Sequence, residues 1–431
     1  MEMSLRAFLD LLASNNMLEV VEEPVSLDLE LANVAKNKQG KKALVFKNVG
    51  KEKLRVATNL CDTREKLSMA LGARNDEELF KSLLFAMNNP SKPVVKDFEA
   101  DCYRSLESLQ ELPVVRHYKE EAGPYITAGV VIARDPDLDF QNASIHRLLV
   151  KGKRRLVIRL VPRHLYKIYK KHAERGEDTP ITIVIGLHPA LLLAASSSPA
   201  YGVDEMQVAN TLMRGMEASP SPIHGHIVPR ACEVIIEAEI LHDALDDEGP
   251  FVDITGTLDG IRKQPVVEVK RIFARRDGFI FHDILPAGFE HQLLMGVPKE
   301  AAIWDGVSKV VPKVHKVRLL REGCSWLIAA ISISKHVDGD AKNAILAAFA
   351  AHPSLKVAIV VDEDVDVDNP SEILWAMATR FQAHEDLVLV PNARGSSLDP
   401  SAEKGSLATT NVGIDATIPL SKNRGEFLKV V

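Results

Sequence analysis

The chain has 431 residues, of which 46% are hydrophobic and 26% charged, and its formal net charge is −6. Such a composition is typical of a globular protein, and the length predicts two or three domains. Because acidic residues outnumber basic ones, no global positive field favours nucleic acid, and none is expected as a partner. The longest apolar runs are too short to span a bilayer, so no membrane association is expected.

The four cysteines are widely spaced and form no C-x-x-C pair; they are Cys61, Cys102, Cys232 and Cys324. This spacing argues against a disulfide scaffold and against a cysteine metal site. The N-terminus has no basic segment followed by an apolar one, so a secretory signal is not expected. We therefore expect a cytoplasmic protein with reduced thiols.

The first 112 residues predict an N-terminal α/β domain. Apolar residues at helical spacing predict helices over 4–16 and 28–36. Runs of branched residues predict strands at 18–21, 43–46 and 54–58, the last two of them paired.

The pattern changes in the next predicted domain, residues 113–305. Short runs rich in branched residues are bounded by turn residues, which predicts a barrel or a sandwich. A helix over 162–174 interrupts these strands, and a second helix follows Val203.

The last predicted domain, residues 306–431, is again α/β. Its predicted strands and helices alternate: strand 326–333, helix 340–351, strand 356–361, helix 371–380 with Ser371 as N-cap, and strand 387–390. Residues 402–431 are predicted to be an irregular, extended tail.

Three charged or histidine-containing stretches have both an ordinary and a functional interpretation. The acidic run Asp362–Asp368 is a solvated loop or a cation site. The pair His224 and His226 is structural or holds a transition metal. The basic cluster Lys151–Arg155 is a solvated hairpin turn or an anion site near Arg147.

Two segments carry the chemistry that the sequence indicates most clearly. Residues 141–147 (QNASIHR) place an amide, a hydroxyl and the guanidinium of Arg147 on a predicted strand, and residues 248–253 (EGPFVD) place Glu248 and Asp253 around a Gly-Pro turn. An arginine can hold a substrate carboxylate through two parallel hydrogen bonds. A neighbouring acid can then deliver a proton.

These segments belong to an ordered series of motifs. In chain order the series is GPYITAG at 123–129, NxSIHR at 142–147, RH at 163–164, SSSP at 196–199, GxxE at 202–205, EGPFxD at 248–253, HP at 352–353, VVDxDxD at 360–366, WAxATR at 375–380 and RGSxLDP at 394–400. The series resembles the UbiD-type decarboxylases over nearly the whole chain, and the chain is most similar to their archaeal branch, which acts on trans-anhydromevalonate 5-phosphate.

The resemblance implies a fold and an assembly. The fold class is mixed α/β in three domains: an N-terminal α/β domain, a central split β-barrel of flavin-reductase type, and a C-terminal α/β domain. The expected assembly is a homo-oligomer, either a dimer or a hexamer.

The resemblance also implies prenylated FMN, which a flavin prenyltransferase would supply, together with Mn²⁺ or Mg²⁺ and K⁺. The implied metal ligands are Asn142, His164 and Glu205, a donor set that suits Mn²⁺. The side chains implied to line the flavin are Ser144, Ile145, His146, Arg147, Arg163, Ser196, Ser197, Ser198 and Pro199, together with those ligands.

The implied catalytic residues are Arg147, Glu248 and Asp253. The family commonly has a glutamate at the position of Asp253, and aspartate is one methylene shorter, so the proton donor would lie farther from the substrate. A second departure is Asn411, which stands where many relatives have a lysine, so a contact to the cofactor phosphate is expected to be missing or supplied by another base.

The implied reaction is non-oxidative decarboxylation of an α,β-unsaturated, phosphorylated acid: trans-anhydromevalonate 5-phosphate would give isopentenyl phosphate and CO₂ in the archaeal mevalonate pathway. One alternative is a decarboxylase or carboxylase of an aromatic or polyprenyl hydroxybenzoic acid. The other is a flavin-binding protein without decarboxylase activity, since a split barrel alone would permit it.

Overall fold

The computed structural model describes residues 3–403 and 405–430. The chain forms two compact units. Unit 1 contains the residues up to Asp253 together with Leu258–Leu294. Unit 2 contains Ile254–Thr257 and the residues from Met295 onward. The predicted N-terminal and central segments thus lie mostly in unit 1.

The strands of the described residues up to Ile158 are β1 (Leu18–Val21), β2 (Ala43–Val49), β3 (Leu54–Thr58), β4 (Val94–Val95), β5 (Tyr103–Leu106), β6 (Tyr125–Ile126), β7 (Val130–Arg134), β8 (Gln141–Ile145), β9 (Leu148–Val150) and β10 (Arg155–Ile158). Those that follow, up to His282, are β11 (Thr179–Ile185), β12 (Glu217–Pro220), β13 (Ile227–Pro229), β14 (Val234–Glu248), β15 (Phe251–Val252), β16 (Leu258–Asp259), β17 (Arg262–Arg275) and β18 (Ile280–His282). The remaining strands are β19 (Lys313–Leu319), β20 (Ile328–Ser334), β21 (Val357–Asp362), β22 (Leu387–Arg394) and β23 (Ala408–Ala416).

The α-helices of the same residues are α1 (Leu5–Ser14), α2 (Glu30–Asn37), α3 (Arg64–Leu71), α4 (Asp76–Asn88), α5 (His164–Ala173), α6 (Pro189–Ser197), α7 (Glu205–Leu212), α8 (Phe289–Ser308), α9 (Asp340–Ala351), α10 (Pro370–Arg380) and α11 (Ala383–Asp386). Short 3₁₀ turns lie at Ala100–Cys102, Leu109–Glu111, Arg321–Gly323 and Arg424–Glu426.

Unit 1 is built around a nine-stranded sheet with the order β6-β9-β10-β17-β14-β11-β7-β8, and β5 also pairs with β17. Every pairing in it is antiparallel. The end strands β6 and β8 are not paired with each other, so the sheet is open, as a split barrel requires. A four-stranded sheet, β1-β2-β3-β18, contains the predicted pair β2 and β3.

The long strands β14 and β17 pair over most of their length, with register shifts after Glu237 and after Ile240. Such irregularities bend a strand and increase its twist. At the far end of this ladder Glu248 is the register partner of Arg262. The connection between the two strands therefore begins at one of the predicted catalytic residues.

Unit 2 contains a five-stranded sheet with the order β19-β20-β21-β23-β22. Apolar side chains of α9, including Ile345 and Ala348, are buried in the same cluster as Val360 and Ala358 of β21. Strand β23 lies in the segment that the sequence predicted to be irregular, so that prediction was wrong there. Its residues pair with buried β21 on one side and β22 on the other, and its buried positions include the polar residues Asn411 and Asp415.

The acidic run lies after β21 and is bound by basic side chains. Arg380 donates to Asp362 and Asp364, and Arg318 donates to Asp368. Its ordinary interpretation, a charged loop before α10, agrees with these contacts. The N-cap of α10 is Asn369 and not Ser371, because the Asn369 side chain accepts the Ser371 backbone N–H.

All four cysteines are free. In the ranges that the structure describes, no helix combines the length and the apolar character that crossing a bilayer requires.

Candidate active site

Arg147 lies between β8 and β9, at the centre of a carboxylate cluster. Its Nε and Nη2 each donate to one Glu248 oxygen at 2.8 Å, so the two side chains form a bidentate pair. Its Nη1 donates to Asp253 Oδ2 at 2.7 Å. The three predicted catalytic residues are therefore in direct contact, and the shorter aspartate still reaches the guanidinium.

A third carboxylate, which the sequence did not reveal, completes the cluster. Arg147 Nη2 donates to Asp259 Oδ2 at 2.9 Å. Asp259 precedes Gly260, and Asp-Gly is an ordinary turn signal, so nothing in the sequence separates it from a solvated turn residue. Burial alone would raise the pKa of Asp259, but Arg262 and Arg147 outweigh it and hold that pKa below its usual value.

Burial distinguishes the members of the cluster. The side chain of Glu248 is fully buried and that of Arg147 is 9% exposed, whereas those of Asp253 and Asp259 are 17% and 14% exposed. Burial alone would lower the pKa of Arg147, but its carboxylate partners outweigh burial and raise it. Glu248 is thus placed to hold the guanidinium, and the two aspartates lie at its accessible side.

Aromatic side chains hold this cluster from the interior. The Arg147 guanidinium lies over the Phe251 ring, 4.5 Å from its centre, where cation–π attraction adds to the ion pairs. The Tyr125 hydroxyl donates to Glu248 Oε1 at 3.3 Å and accepts the Gly249 N–H at 3.2 Å. Tyr125 and Phe251 are themselves in contact in a buried cluster.

His291, on α8, is a further neighbour that the sequence did not reveal, because a lone histidine in a helix carries no signal. Burial lowers its pKa, Asp253 opposes that shift, and Arg147 adds to it. Its Nδ1 accepts the Ala287 N–H at 3.2 Å, so in the neutral ring the proton lies on Nε2.

A second group of predicted residues meets at β8, against which α5, α6 and α7 pack. Glu205, the first residue of α7, is 2% exposed. Its carboxylate accepts from Asn142 Nδ2 at 2.9 Å and from the Ala143 N–H at 2.8 Å. His164 Nδ1 lies 3.7 Å from Glu205 Oε1. The structure thus brings the three predicted metal ligands together.

The donor set of this group suits a hard or borderline cation. It offers an amide, an imidazole and a buried carboxylate, and no lysine or arginine of the described residues forms an ion pair with Glu205. No group of three or more His, Cys, Asp and Glu side chains in the described ranges is arranged to hold a metal. The predicted ligand set contains only two side chains of these four types, His164 and Glu205. Its third member, Asn142, is an amide.

The predicted flavin-lining residues lie on the same elements. Ser144 Oγ lies 3.0 Å from both Asn142 Oδ1 and His146 Nε2, and its one proton is donated to one of them at a time. His146 Nδ1 bonds to the Arg159 carbonyl at 3.1 Å, and burial lowers the pKa of His146 to about 4, so its ring is neutral. Ile145 ends β8 and is partly buried.

The remaining flavin-lining residues are at helix ends. Ser196 and Ser197 donate to helix carbonyls, Ser198 ends α6 in the left-handed conformation with φ of 53°, and Pro199 is buried. Arg163 is at the N-cap of α5, and burial lowers its pKa. No hydrogen bond or ion pair of its guanidinium occurs within the described residues, so it is available to an anion such as a cofactor phosphate.

The other residues singled out in the sequence lie elsewhere. The side chains of Lys151 and Arg155 pair with Asp246 at 3.4 and 3.7 Å, and Arg154 pairs with Glu107 at 3.4 Å. Asn411 is in β23, in unit 2, and its Oδ1 has no hydrogen-bond partner among the described residues.

His224 and His226 surround buried Glu237 and Thr182. Thr182 Oγ1 lies 2.8 Å from both Glu237 Oε2 and His226 Nδ1. Burial lowers the pKa of His226 to about 3, so the ring is neutral.

Family models match three consecutive segments of the chain. They are the N-terminal domain of 3-octaprenyl-4-hydroxybenzoate carboxy-lyase at residues 9–87, its Rift-related domain at 93–289 and its C-terminal domain at 292–416. Together they cover most of the sequence.

Curated relatives match over nearly the full length. Anhydromevalonate phosphate decarboxylase of Methanothermobacter thermautotrophicus is 47% identical over 419 residues, covering 97% of both chains. The protein of the same name from Aeropyrum pernix is 43% identical over 423 residues, covering 98% of this chain and 94% of the relative.

Solved structures agree with this assignment. The UbiD-class enzyme HmfF from Pelotomaculum thermopropionicum, in complex with FMN, has a TM-score of 0.95 and 36% identity, covering 99% of this chain and 97% of the other. An evolved dimeric form of it with prFMN has a TM-score of 0.91 and 34% identity, covering 100% and 97%. With its arginine–carboxylate cluster and its split barrel, the chain belongs to the UbiD family of carboxy-lyases.

Proposed function

We propose that this chain decarboxylates trans-anhydromevalonate 5-phosphate to isopentenyl phosphate and CO₂, with prenylated FMN as its cofactor. The observation that carries the proposal is the mostly buried guanidinium of Arg147, held between Glu248 and Asp253 at 2.7–2.8 Å. The substrate is inferred from the relatives named anhydromevalonate phosphate decarboxylase, and the cofactor from the solved structures with FMN and prFMN.

Each catalytic residue has a distinct role in this proposal. Arg147 orients the substrate carboxylate, because its planar fork matches two carboxylate oxygens. Glu248 fixes the guanidinium and balances its charge from the fully buried side. Asp253 is the more accessible acid and delivers a proton to the carbon that loses CO₂.

The cofactor residues in this proposal are those gathered at β8. Prenylated FMN, when bound, supplies an electron sink for the pair that CO₂ leaves behind. Ser144, Ile145, His146 and the segment Ser196–Pro199 would line the flavin, and Arg163 would neutralise its phosphate. Asn142, His164 and Glu205 would hold Mn²⁺ or Mg²⁺ beside that phosphate, while K⁺ is taken from the family resemblance alone.

The cellular setting is part of the same proposal. We infer a cytoplasmic homo-oligomer, a dimer or a hexamer, that acts in the archaeal mevalonate pathway and takes its cofactor from a flavin prenyltransferase. Free cysteines support a reducing compartment. The dimeric HmfF form supports an oligomer.

The test is CO₂ release by protein co-produced with a flavin prenyltransferase, supplied with trans-anhydromevalonate 5-phosphate, cinnamate or 4-hydroxybenzoate. We expect turnover of the phosphorylated acid alone. Turnover of an aromatic acid alone would support the aromatic alternative. Cofactor-loaded protein that turns over none of the three would contradict the proposed substrate.

The role of Arg147 is tested with Arg147→Lys and Arg147→Ala in the same assay. Lysine keeps the charge but lacks the fork, so both variants should lose at least about a hundredfold in CO₂ release while the flavin absorbance is retained. Full activity in Arg147→Ala would refute the catalytic assignment. Flavin binding without CO₂ release in the wild type would support the non-decarboxylating alternative.

A further inference from the structure

Three arginines converge on one carboxylate beside the catalytic cluster. Asp259 Oδ2 accepts from Arg147 Nη2 at 2.9 Å and lies 3.9 Å from Arg159 Nε, and Asp259 Oδ1 is bound by Arg262 Nη1. Glu248 and Asp253 also compensate Arg147, whereas within this group Arg159 and Arg262 have only Asp259, which they share with Arg147.

The backbone places these arginines together. Arg147 directly precedes β9 and Arg159 directly follows its partner β10, and the Arg159 N–H donates to the Arg147 carbonyl at 3.3 Å. Arg262 begins β17 and is the register partner of Glu248. The arrangement is therefore fixed by the central sheet and not by flexible side chains alone.

Arg159 has unused hydrogen-bonding capacity. Its side chain is 17% exposed, and within the described residues it donates one hydrogen bond, from Nη1 to the Leu160 carbonyl at 3.2 Å. A guanidinium has five N–H donors, and donors left unpaired in a mostly buried position are unfavourable. Burial lowers the pKa of Arg159, and the charges of Arg262 and Arg147 lower it further. An anionic ligand would accept hydrogen bonds from the unpaired donors of Arg159, and its negative charge would raise the pKa of Arg159 again.

We propose that Arg159 and Arg262 bind the phosphate group of the substrate whose carboxylate Arg147 holds. This inference rests on the proposed function and names the residues that select a phosphorylated acid. Arginine suits the task, because its fork pairs with two phosphate oxygens. Both Arg147 and Arg159 face the same oxygen of Asp259, so a short ligand with an anionic group at each end can reach both.

The alternative anion site is the surface cluster Lys151–Arg155. Arg154 in that cluster is 45% exposed and pairs with Glu107, and Arg155 is 52% exposed and pairs with Asp246. Their charges are already compensated in contact with water, where such pairs contribute little. This cluster therefore offers no buried, incompletely paired donor comparable with Arg159.

The experiment measures binding of isopentenyl phosphate, and of its alcohol 3-methylbut-3-en-1-ol, to cofactor-loaded wild type and to Arg159→Gln, Arg262→Gln and Arg154→Gln. We expect Arg159→Gln to weaken binding of the phosphate ester at least about tenfold, and exposed Arg262→Gln by less. Binding of the alcohol should not change, and Arg154→Gln should bind like wild type. In turnover, kcat/KM should fall for the phosphorylated acid and not for its dephosphorylated form.

The outcomes separate this inference from the proposed function. It is overturned if wild type does not bind isopentenyl phosphate, if Arg154→Gln alone loses binding, or if Arg159→Gln binds like wild type. If phosphate binding depends on Arg159 but wild type releases no CO₂ from the phosphorylated acid, the phosphate site stands and the proposed substrate fails. Arg159→Lys, which keeps the charge, should recover part of the affinity and serves as a second variant if Arg159→Gln does not fold.

Discussion

His117 is fully buried between two carboxylates, away from the catalytic cluster. Its Nε2 lies 3.0 and 3.1 Å from the two oxygens of Asp283, and its Nδ1 lies 3.6 Å from Glu121. Burial alone would lower the pKa of His117, but the ion pair with Asp283 outweighs it and raises the pKa to about 9. The charged imidazolium therefore stabilises the folded protein.

This shift predicts a pH dependence of stability. A raised pKa in the folded state stabilises fully below the unfolded value of about 6.5, and the effect is lost as pH rises through about 9. The free energy of unfolding of wild type should thus fall by about 3 kcal/mol over this window relative to His117→Gln, as measured by denaturant unfolding. His384→Gln, at an exposed histidine, is the control and should follow wild type. Parallel curves for wild type and His117→Gln would contradict the prediction.

At the residue scale, the order of the motifs predicted which side chains lie together, while their catalytic roles stay a prediction. Arg147, Glu248 and Asp253 do meet, as the resemblance implied. Asp259 and Arg159 were not predicted, because their significance comes from long-range pairing. Asp259 ends the short strand β16, and Arg159 directly follows β10. A single sequence does not show which strands are neighbours.

The connection from β14 to β17 is the element that positions the carboxylates. Gly249 has a φ of 90°, and a Cβ there would lie 2.8 Å from the Gly260 carbonyl oxygen. Only glycine adopts this conformation readily and permits so close an approach. The turn therefore fixes where Glu248 ends its strand and where Asp253 begins the next loop.

Gly249→Ala should consequently reduce activity and stability together. The strained backbone should lower the free energy of unfolding by about 1–3 kcal/mol, and displaced carboxylates should lower CO₂ release at least about tenfold. Gly260→Ala is the matched control, since a Cβ at Gly260 meets nothing within 4 Å. Equal effects of the two substitutions, in thermal unfolding and in turnover, would contradict this account.

The elements themselves were predicted unevenly. Helix α9 has the predicted bounds, because its apolar spacing is regular. Helix α6 was not predicted, since it is apolar on all sides and buried, which leaves no periodic signal. Strand β23 was missed for a different reason: its buried positions include Asn411, Gly413 and Asp415, residue types that are uncommon inside strands, and the pairing with β21 and β22 that defines it comes from distant segments.

At the scale of the molecule, the predicted cofactor and metal residues all belong to unit 1. Unit 2 has its own buried clusters, around Ile331 and around Val361. Ligand binding stabilises the part of a protein that it contacts. Binding of a flavin should therefore act differently on the two units.

Hydrogen–deuterium exchange with FMN and Mn²⁺ tests this difference. Amides of residues 141–147, 163–164 and 196–205 should exchange more slowly with both ligands bound, and those of β20 and β21 should not change. Glu205→Gln should remove the part of the protection that depends on Mn²⁺, because it replaces the carboxylate that the metal would bind. Slower exchange confined to unit 2 would contradict the assignment.

The three carboxylates around Arg147 have one further consequence. A substrate carboxylate must exchange with an internal competitor, because Asp253 and Asp259 already occupy the accessible side of the guanidinium. In the proposed reaction, that substrate group leaves as neutral CO₂, and the competitor regains the arginine without opposition. Decarboxylation would thus remove the anchor that held the substrate, and the cluster would restore its own starting arrangement after each turnover.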